Sequence, residues 1–197
     1  MRHAFFVRYY DKNTYGMNYG STKMDKKIVI TCENLPGLRL ISALDADQEK
    51  LRIWKNNHRS SFFYQENIQP DQQLKWFQGY LNRADDYMFM VEEDGHKIGC
   101  MAFRAEEEDV IDLYNIIRGE AGEGKVTMRD AMRVMLTYIK TAFPGRRIKC
   151  DVLKDNPAVK WYQKCGFSIL EEKEYYIMGI RKEDISALLI DSKEEIL

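Results

Sequence analysis

Apolar residues fall at helical spacing most clearly after residue 126. Met128, Ala131, Met132, Met135, Leu136, Ile139 and Phe143 share one face, Thr127 and Asp130 form a capping-box pair at its start, and Pro144-Gly145 ends it. Upstream, residues 38–44 read as a strand, and Asp45 is placed to cap a helix running to about residue 56. Pro70-Asp71 opens a second helix with Leu74, Phe77 and Leu81 on one face. Residues 87–91 and 97–104 read as strands joined by Glu92-Glu93-Asp94-Gly95-His96, whose Asp-Gly step is a strong hairpin signal, and 110–117 as the next strand. Beyond the long helix come a strand at 147–153, a short helix at 157–165, and strands at 168–170 and 175–181. This order predicts an α/β (α+β) domain. Its strand–helix–strand crossover requires at least one parallel pair, so the sheet is expected to be mixed. We divide the chain into an irregular or hairpin extension over 1–37, one domain over 38–183, and a tail over 184–197 that is a candidate helix.

Composition narrows the function classes. The 197 residues carry 30 basic and 31 acidic side chains, interspersed, which argues against a nucleic-acid binder. No stretch is apolar enough to cross a bilayer, and the first apolar run is too short for a signal peptide, so a cytoplasmic protein without membrane association is expected. Cys32, Cys100, Cys150 and Cys165 form no CxxC pair, and the only histidines are at 3, 58 and 96, so neither a metal site nor a disulfide framework is expected.

The most specific segment is Asp155-Asn156-Pro157-Ala158-Val159-Lys160-Trp161-Tyr162-Gln163-Lys164-Cys165-Gly166-Phe167. Asn156 suits an N-cap, Pro157 the first helical position, and Gly166 a left-handed C-cap. Ala158 is small enough to admit a ligand, and Tyr162 projects near the far end of this two-turn helix. By themselves these features describe a well-capped helix. At this spacing, after a strand, the block resembles the N-x-x-A-x-x-x-Y-x-x-x-G-F signature of the GNAT N-acetyltransferases, and residues 54–59 with the helix around 73–77 resemble the first helices of members acting on sugar-nucleotide amines or protein amino termini. The resemblance implies a central mixed, mostly antiparallel twisted sheet of six to seven strands with about four helices. It also implies acetyl-coenzyme A as cosubstrate, Asn156 and Ala158 on the coenzyme A arm, and Tyr162 as the acid that protonates the departing thiolate.

The family further requires a strand-to-helix loop that binds pyrophosphate through backbone amides at a helix N-terminus. Residues 115–127 occupy that place. Ile116, Ile117, Arg118, Gly119, Gly122, Gly124 and Lys125 are the candidate contacts, although the glycine spacing is imperfect and Glu120 and Glu123 bring negative charge. The same loop also reads as a plain flexible connection. The resemblance implies that the preceding strand leaves backbone groups free for the pantetheine amides.

Acyl transfer needs a neutral amine, and a free alkylammonium has a pKa of about 10.4, so a base or a water relay is required. Asp112, inside the apolar run Val110-Ile111-Asp112-Leu113, is the preferred base, with Asp151 and the acidic cluster at 106–109 as alternatives. Arg59, Phe63 and Tyr64 are candidate acceptor contacts, and Trp54, Trp76 and Phe77 read as core. The expected acceptor is the primary amine of a small molecule, such as an amino-sugar nucleotide, or a peptide N-terminus. A homodimer is the candidate assembly. The competing function is a non-catalytic acyl-coenzyme A sensor of the same fold.

Overall fold

The computed structural model describes residues 27–106, 109–181 and 193–195. Nine strands form one sheet: β1 (Val29–Thr31), β2 (Leu38–Ser42), β3 (Asp86–Glu93), β4 (His96–Glu106), β5 (Val110–Arg118), β6 (Arg147–Leu153), β7 (Ser168–Glu172), β8 (Tyr175–Ile180) and β9 (Lys193–Glu195). Their spatial order is β7-β8-β6-β5-β4-β3-β2-β1-β9. Every pairing is antiparallel except β5 with β6. The two strands beyond the expected six to seven, β1 and β9, are three residues each and pair with one another at the sheet edge. Such short segments leave almost no periodic signal to read.

Four helices are α1 (Gln48–Asn57), α2 (Pro70–Leu81), α3 (Met128–Ala142) and α4 (Ala158–Lys164). The sheet is covered on both faces, and alternation along the central strands sorts the cores. Phe89, Val91, Met101 and Phe103 pack with α3, while Met88, Met90, Cys100 and Ala102 pack with α1 and α2. This explains why β3 and β4 are apolar on consecutive positions.

Local chemistry places the elements much as expected. Thr127 Oγ1 accepts the Asp130 N–H at 3.2 Å, and Asp130 accepts the Thr127 N–H at 2.9 Å. Asp94 and Gly95 both take positive φ, at 46° and 90°, as a two-residue hairpin turn requires. The buried face of α2 differs from the expected one: Gln73, Phe77 and Tyr80 turn inward, and Leu74 is exposed. The Gln73 amide donates to Gln48 Oε1 at 2.8 Å, so a buried polar contact displaces leucine from the helix interface. Trp54 and Phe77 are core, with Trp76 packed partly against them. Residues 1–26 of the N-terminal extension, and most of the tail in which a helix was expected, lie outside the described residues; within the tail, 193–195 is strand.

Candidate active site

The one parallel pairing is short. Val110, Ile111 and Asp112 pair with Arg147, Ile148 and Lys149, and beyond them β5 and β6 part. The opening is a cavity of about 550 Å³ lined by Leu113 to Arg118 on β5, Asp151 and Val152 on β6, and the start of α4. β5 is also irregular here. Its register with β4 steps from Tyr114↔Ala102 to Ile117↔Cys100, skipping Asn115 and Ile116, and Asn115 takes φ 48°. A bulge of this kind removes backbone groups from the ladder and aims them elsewhere. Asn115 and Ile116 both line the opening, and the Asn115 carbonyl accepts from the Cys100 thiol at 3.3 Å.

Helix α4 is fastened at both ends. Asn156 Oδ1 accepts the Ala158 N–H at 2.8 Å, as an N-cap does. Gly166 takes φ 89°, and the Phe167 and Gly166 N–H groups return to Tyr162 O and Gln163 O at 3.0 Å each, a left-handed cap with the Schellman pairing. Asn156 also donates through Nδ2 to Ser61 O at 2.9 Å, tying α4 to the turn after α1. Asn156, Ala158 and Tyr162 all line the cavity. Burial, with the thiols of Cys150 and Cys165 next, raises the Tyr162 phenol well above its usual pKa, so it keeps its proton. Burial likewise pushes the Cys100 thiol up to about 12 and Cys165 to about 11, leaving both as poor nucleophiles.

Asp112 lines the same cavity as Tyr162. Burial raises its pKa, opposed by Lys149, whose Nζ stands 3.4 Å from Oδ1, and reinforced by Glu106 and Asp151. Asp151, the alternative base, lines the cavity as well, 4.0 Å from Lys149 Nζ.

The loop between β5 and α3 is arranged differently from the expectation. Its amides at Lys125 and Val126 donate to Glu93 Oε1, at 2.7 and 3.0 Å, so an internal carboxylate sits at the helix N-terminal side of the loop. Glu93 is 1% exposed, and these amides, Val126 first, hold its pKa below the ordinary carboxylate value. Ile116, Ile117 and Arg118 line the cavity, whereas Gly119, Gly122, Gly124 and Lys125 do not. Each of these four has another occupation. Gly119 lies against the Trp54 ring, 2.0 Å from where a Cβ would stand, and Gly122 gives room to Glu93 Oε2. Gly124 takes φ 86°, and Lys125 Nζ is held by Asp94 and Glu123 at 2.8 Å each. Nothing in the hairpin signal at 92–96 marked Glu93 as a loop ligand, because the contact spans more than thirty positions of chain.

A second cavity of about 300 Å³ adjoins the first between α1, α2 and the sheet, with Lys55, Tyr64, Asn115 and Ile117 common to both. Phe63 and Tyr64 line the larger cavity, and Phe63 packs edge-on against Tyr175 at 5.2 Å. Arg59 lines neither. Its guanidinium, on the short 3₁₀ turn Arg59–Ser61, donates to Asn56 O at 3.3 Å. Sequence reading missed Lys55, one turn earlier on α1, which donates to Asn115 Oδ1 at 2.8 Å.

An extended acyl-pantetheine arm fits the parted strands, where bulged backbone and small Ala158 flank the opening. At the loop the fit is partial, because two amides are already engaged by Glu93. Among the described residues there is no group of three or more His, Cys, Asp or Glu able to hold a metal, and no helix long and apolar enough to cross a membrane.

The fold has many solved counterparts. Spermidine N-acetyltransferase from Vibrio cholerae, determined with CoA and spermine, superimposes with TM-score 0.62 at 20% identity, over 76% of this chain and 98% of that one. FdhC, a nucleotide-linked sugar GNAT, gives 0.62 at 18% identity, over 77% and 90%. A probable GNAT-family acetyltransferase from Chromobacterium violaceum gives 0.64 at 14% identity, over 87% and 98%. No curated protein matches the chain. A family model described as "Acetyltransferase (GNAT) domain" matches residues 37–168, more than half of the sequence, and with strands that part beside the capped helix α4 the chain belongs to the GNAT acetyltransferase family.

Proposed function

We propose that the protein moves an acetyl group from acetyl-coenzyme A to the primary amine of a small molecule. The observation that carries this reading is the parting of β5 from β6 beyond Asp112, which brings a protonated phenol, a carboxylate and bulged backbone to one cavity. The thioester supplies an activated acetyl group. The residues of this chain orient it, take a proton from the amine and return one to sulfur. Ile116, Ile117, Arg118, Asn156 and Ala158 are the arm contacts, and an amide of Ile116 or Ile117 serves the developing oxyanion. Asp112 accepts the amine proton, directly or through water, its raised pKa making it a stronger base than an ordinary aspartate. Tyr162 donates to the thiolate. The smaller cavity receives the acceptor; its volume of about 300 Å³ is at the low end for ligand pockets and suits a small metabolite better than a peptide segment.

Release of free coenzyme A from acetyl-coenzyme A, screened over amines, amino-sugar nucleotides and peptides, tests this reading. Amine-dependent release that collapses in Tyr162→Phe is expected. One observation favours a second reading, a binding module without turnover: Glu93 fills amides that a diphosphate would otherwise use. For that reading coenzyme A raises the melting temperature while no amine accelerates its release.

A further inference from the structure

Lys55 is a half-buried cation at the junction of the two cavities, and it lines both. Its Nζ donates to Asn115 Oδ1 at 2.8 Å and lies 5.0 Å from the centre of the Phe62 ring. The amide and the ring stabilise an ammonium only in part. Burial lowers its pKa, and among the described residues no carboxylate acts on it; the one charge-bearing neighbour that does is the Cys100 thiol, which is protonated. A partly desolvated ammonium without a counter-ion is disfavoured, and a ligand that brings one recovers part of that cost.

The smaller cavity shows what else such a ligand needs. Its walls are largely apolar, with Leu51, Ile68, Trp76, Met88 and Ile117, and its remaining polar groups are neutral: Gln72, Gln73, Tyr64, Asn115 and the Cys100 thiol. Among the described residues no Asp or Glu lines it. The acids of the site, Asp112 and Asp151, belong to the larger cavity at the β5–β6 side, where Lys149 stands between them. A polyamine would therefore bring a second ammonium toward Lys55 with no carboxylate among the described lining of the smaller cavity to receive it; Glu66 reaches only the Tyr64 hydroxyl at its edge, at 3.1 Å. An amine bearing an anionic group beside it gains an ion pair in a largely apolar pocket.

Resting on the acetyl-transfer reading above, we infer that Lys55 selects the acceptor: a small amine with an apolar body and an adjacent anionic group, carboxylate or phosphonate/phosphate, that pairs with its ammonium. Lys55 is thus a specificity residue at the acceptor, and the apolar walls take the body of the molecule.

The experiment compares three amines of one shape: phenylalanine, its aminophosphonate analogue, and 2-phenylethylamine, with spermidine as the polycation. Acetylation by the wild-type protein is measured as kcat/KM, in parallel with ligand-induced shifts in melting temperature in the presence of coenzyme A. The wild type is expected to favour the anionic amines over 2-phenylethylamine by about tenfold, the lower end for one hydrogen bond to a charged group. Whichever anion gains more identifies the group. In Lys55→Met the preference falls to near unity, the loss carried by KM for the anionic amines. Lys55→Arg keeps the preference. Equal or better use of 2-phenylethylamine or spermidine by the wild type, or a preference that survives Lys55→Met, overturns the inference. If no amine is acetylated, the acetyl-transfer reading fails. The thermal shifts still decide the Lys55 question: an anionic amine must stabilise the wild type more than 2-phenylethylamine does, and Lys55→Met must erase the difference.

Discussion

Glu93 at the end of β3 accepts the Val126 N–H at 3.0 Å, so the β3–β4 hairpin anchors the loop that leads into α3. The same oxygen takes the Lys125 N–H at 2.7 Å. These bonds favour the carboxylate over the acid and depress the pKa of Glu93. A group whose pKa is lower in the folded state stabilises the fold above its unfolded value, about 4.3, and that stabilisation is lost as pH falls through the folded value. Glu93→Gln should therefore melt below the wild type at pH 7, with the gap closing as both are titrated toward pH 3. Melting curves across that range check it, and a gap independent of pH would show that Glu93 acts by shape alone.

Tyr162→Phe removes one oxygen from a side chain that is 7% exposed and packed against Trp161 and Phe167, so the fold should keep nearly all of its stability. The loss falls on chemistry: kcat for amine acetylation should drop by about 10²–10⁴-fold, the usual worth of a general acid, with little change in KM for acetyl-coenzyme A. Steady-state kinetics with coenzyme A release as the readout separate the two. A kcat within about threefold of wild type would remove the phenol from the mechanism.

What could be read from the sequence divides along the range of the interactions. Thr127 with Asp130, Asn156 with Ala158, and the Asp94-Gly95 turn are decided within four residues, and all took the form their spacing implied. Helix α3 announced itself because its buried face repeats over four turns. The misplaced features are set by distant partners. Leu74 yields the α2 interface to Gln73 because Gln48 is there to bond it. Gly119 reads as a phosphate-loop glycine, yet it makes room for Trp54, and Gly122 makes room for Glu93. Lys55 looks like any surface lysine of an amphipathic helix until Asn115 and Phe62 close over it.

Gly119→Ala tests the packing role directly. A Cβ there would stand 2.0 Å from the ring of Trp54, which is 3% exposed on the buried face of α1. The ring cannot swing aside without opening the core under α1, so the substitution should cost about 1–3 kcal/mol, as overpacking of a filled core does. Chemical denaturation measures it. A change below about 0.5 kcal/mol, the range of an ordinary surface substitution, would mean that this glycine is dispensable to packing.

The pH dependence of turnover bears on the base. Burial raises the pKa of Asp112, so its deprotonation should appear as an acid limb in kcat/KM above the ordinary aspartate value of about 3.9, with rate rising as pH rises through it. Asp112→Asn should abolish that limb and lower the plateau by about 10²-fold or more. Lys149 supplies a second, opposite check. Its ammonium stands 3.4 Å from Asp112 and draws the carboxyl pKa down against burial. Lys149→Met removes that pull while leaving Glu106 and Asp151 to push the same way as burial, so the acid limb should move to higher pH with the plateau retained. A limb that stays in place in Lys149→Met, or persists in Asp112→Asn, would assign the proton to another group, with Asp151 next in line on the same cavity wall.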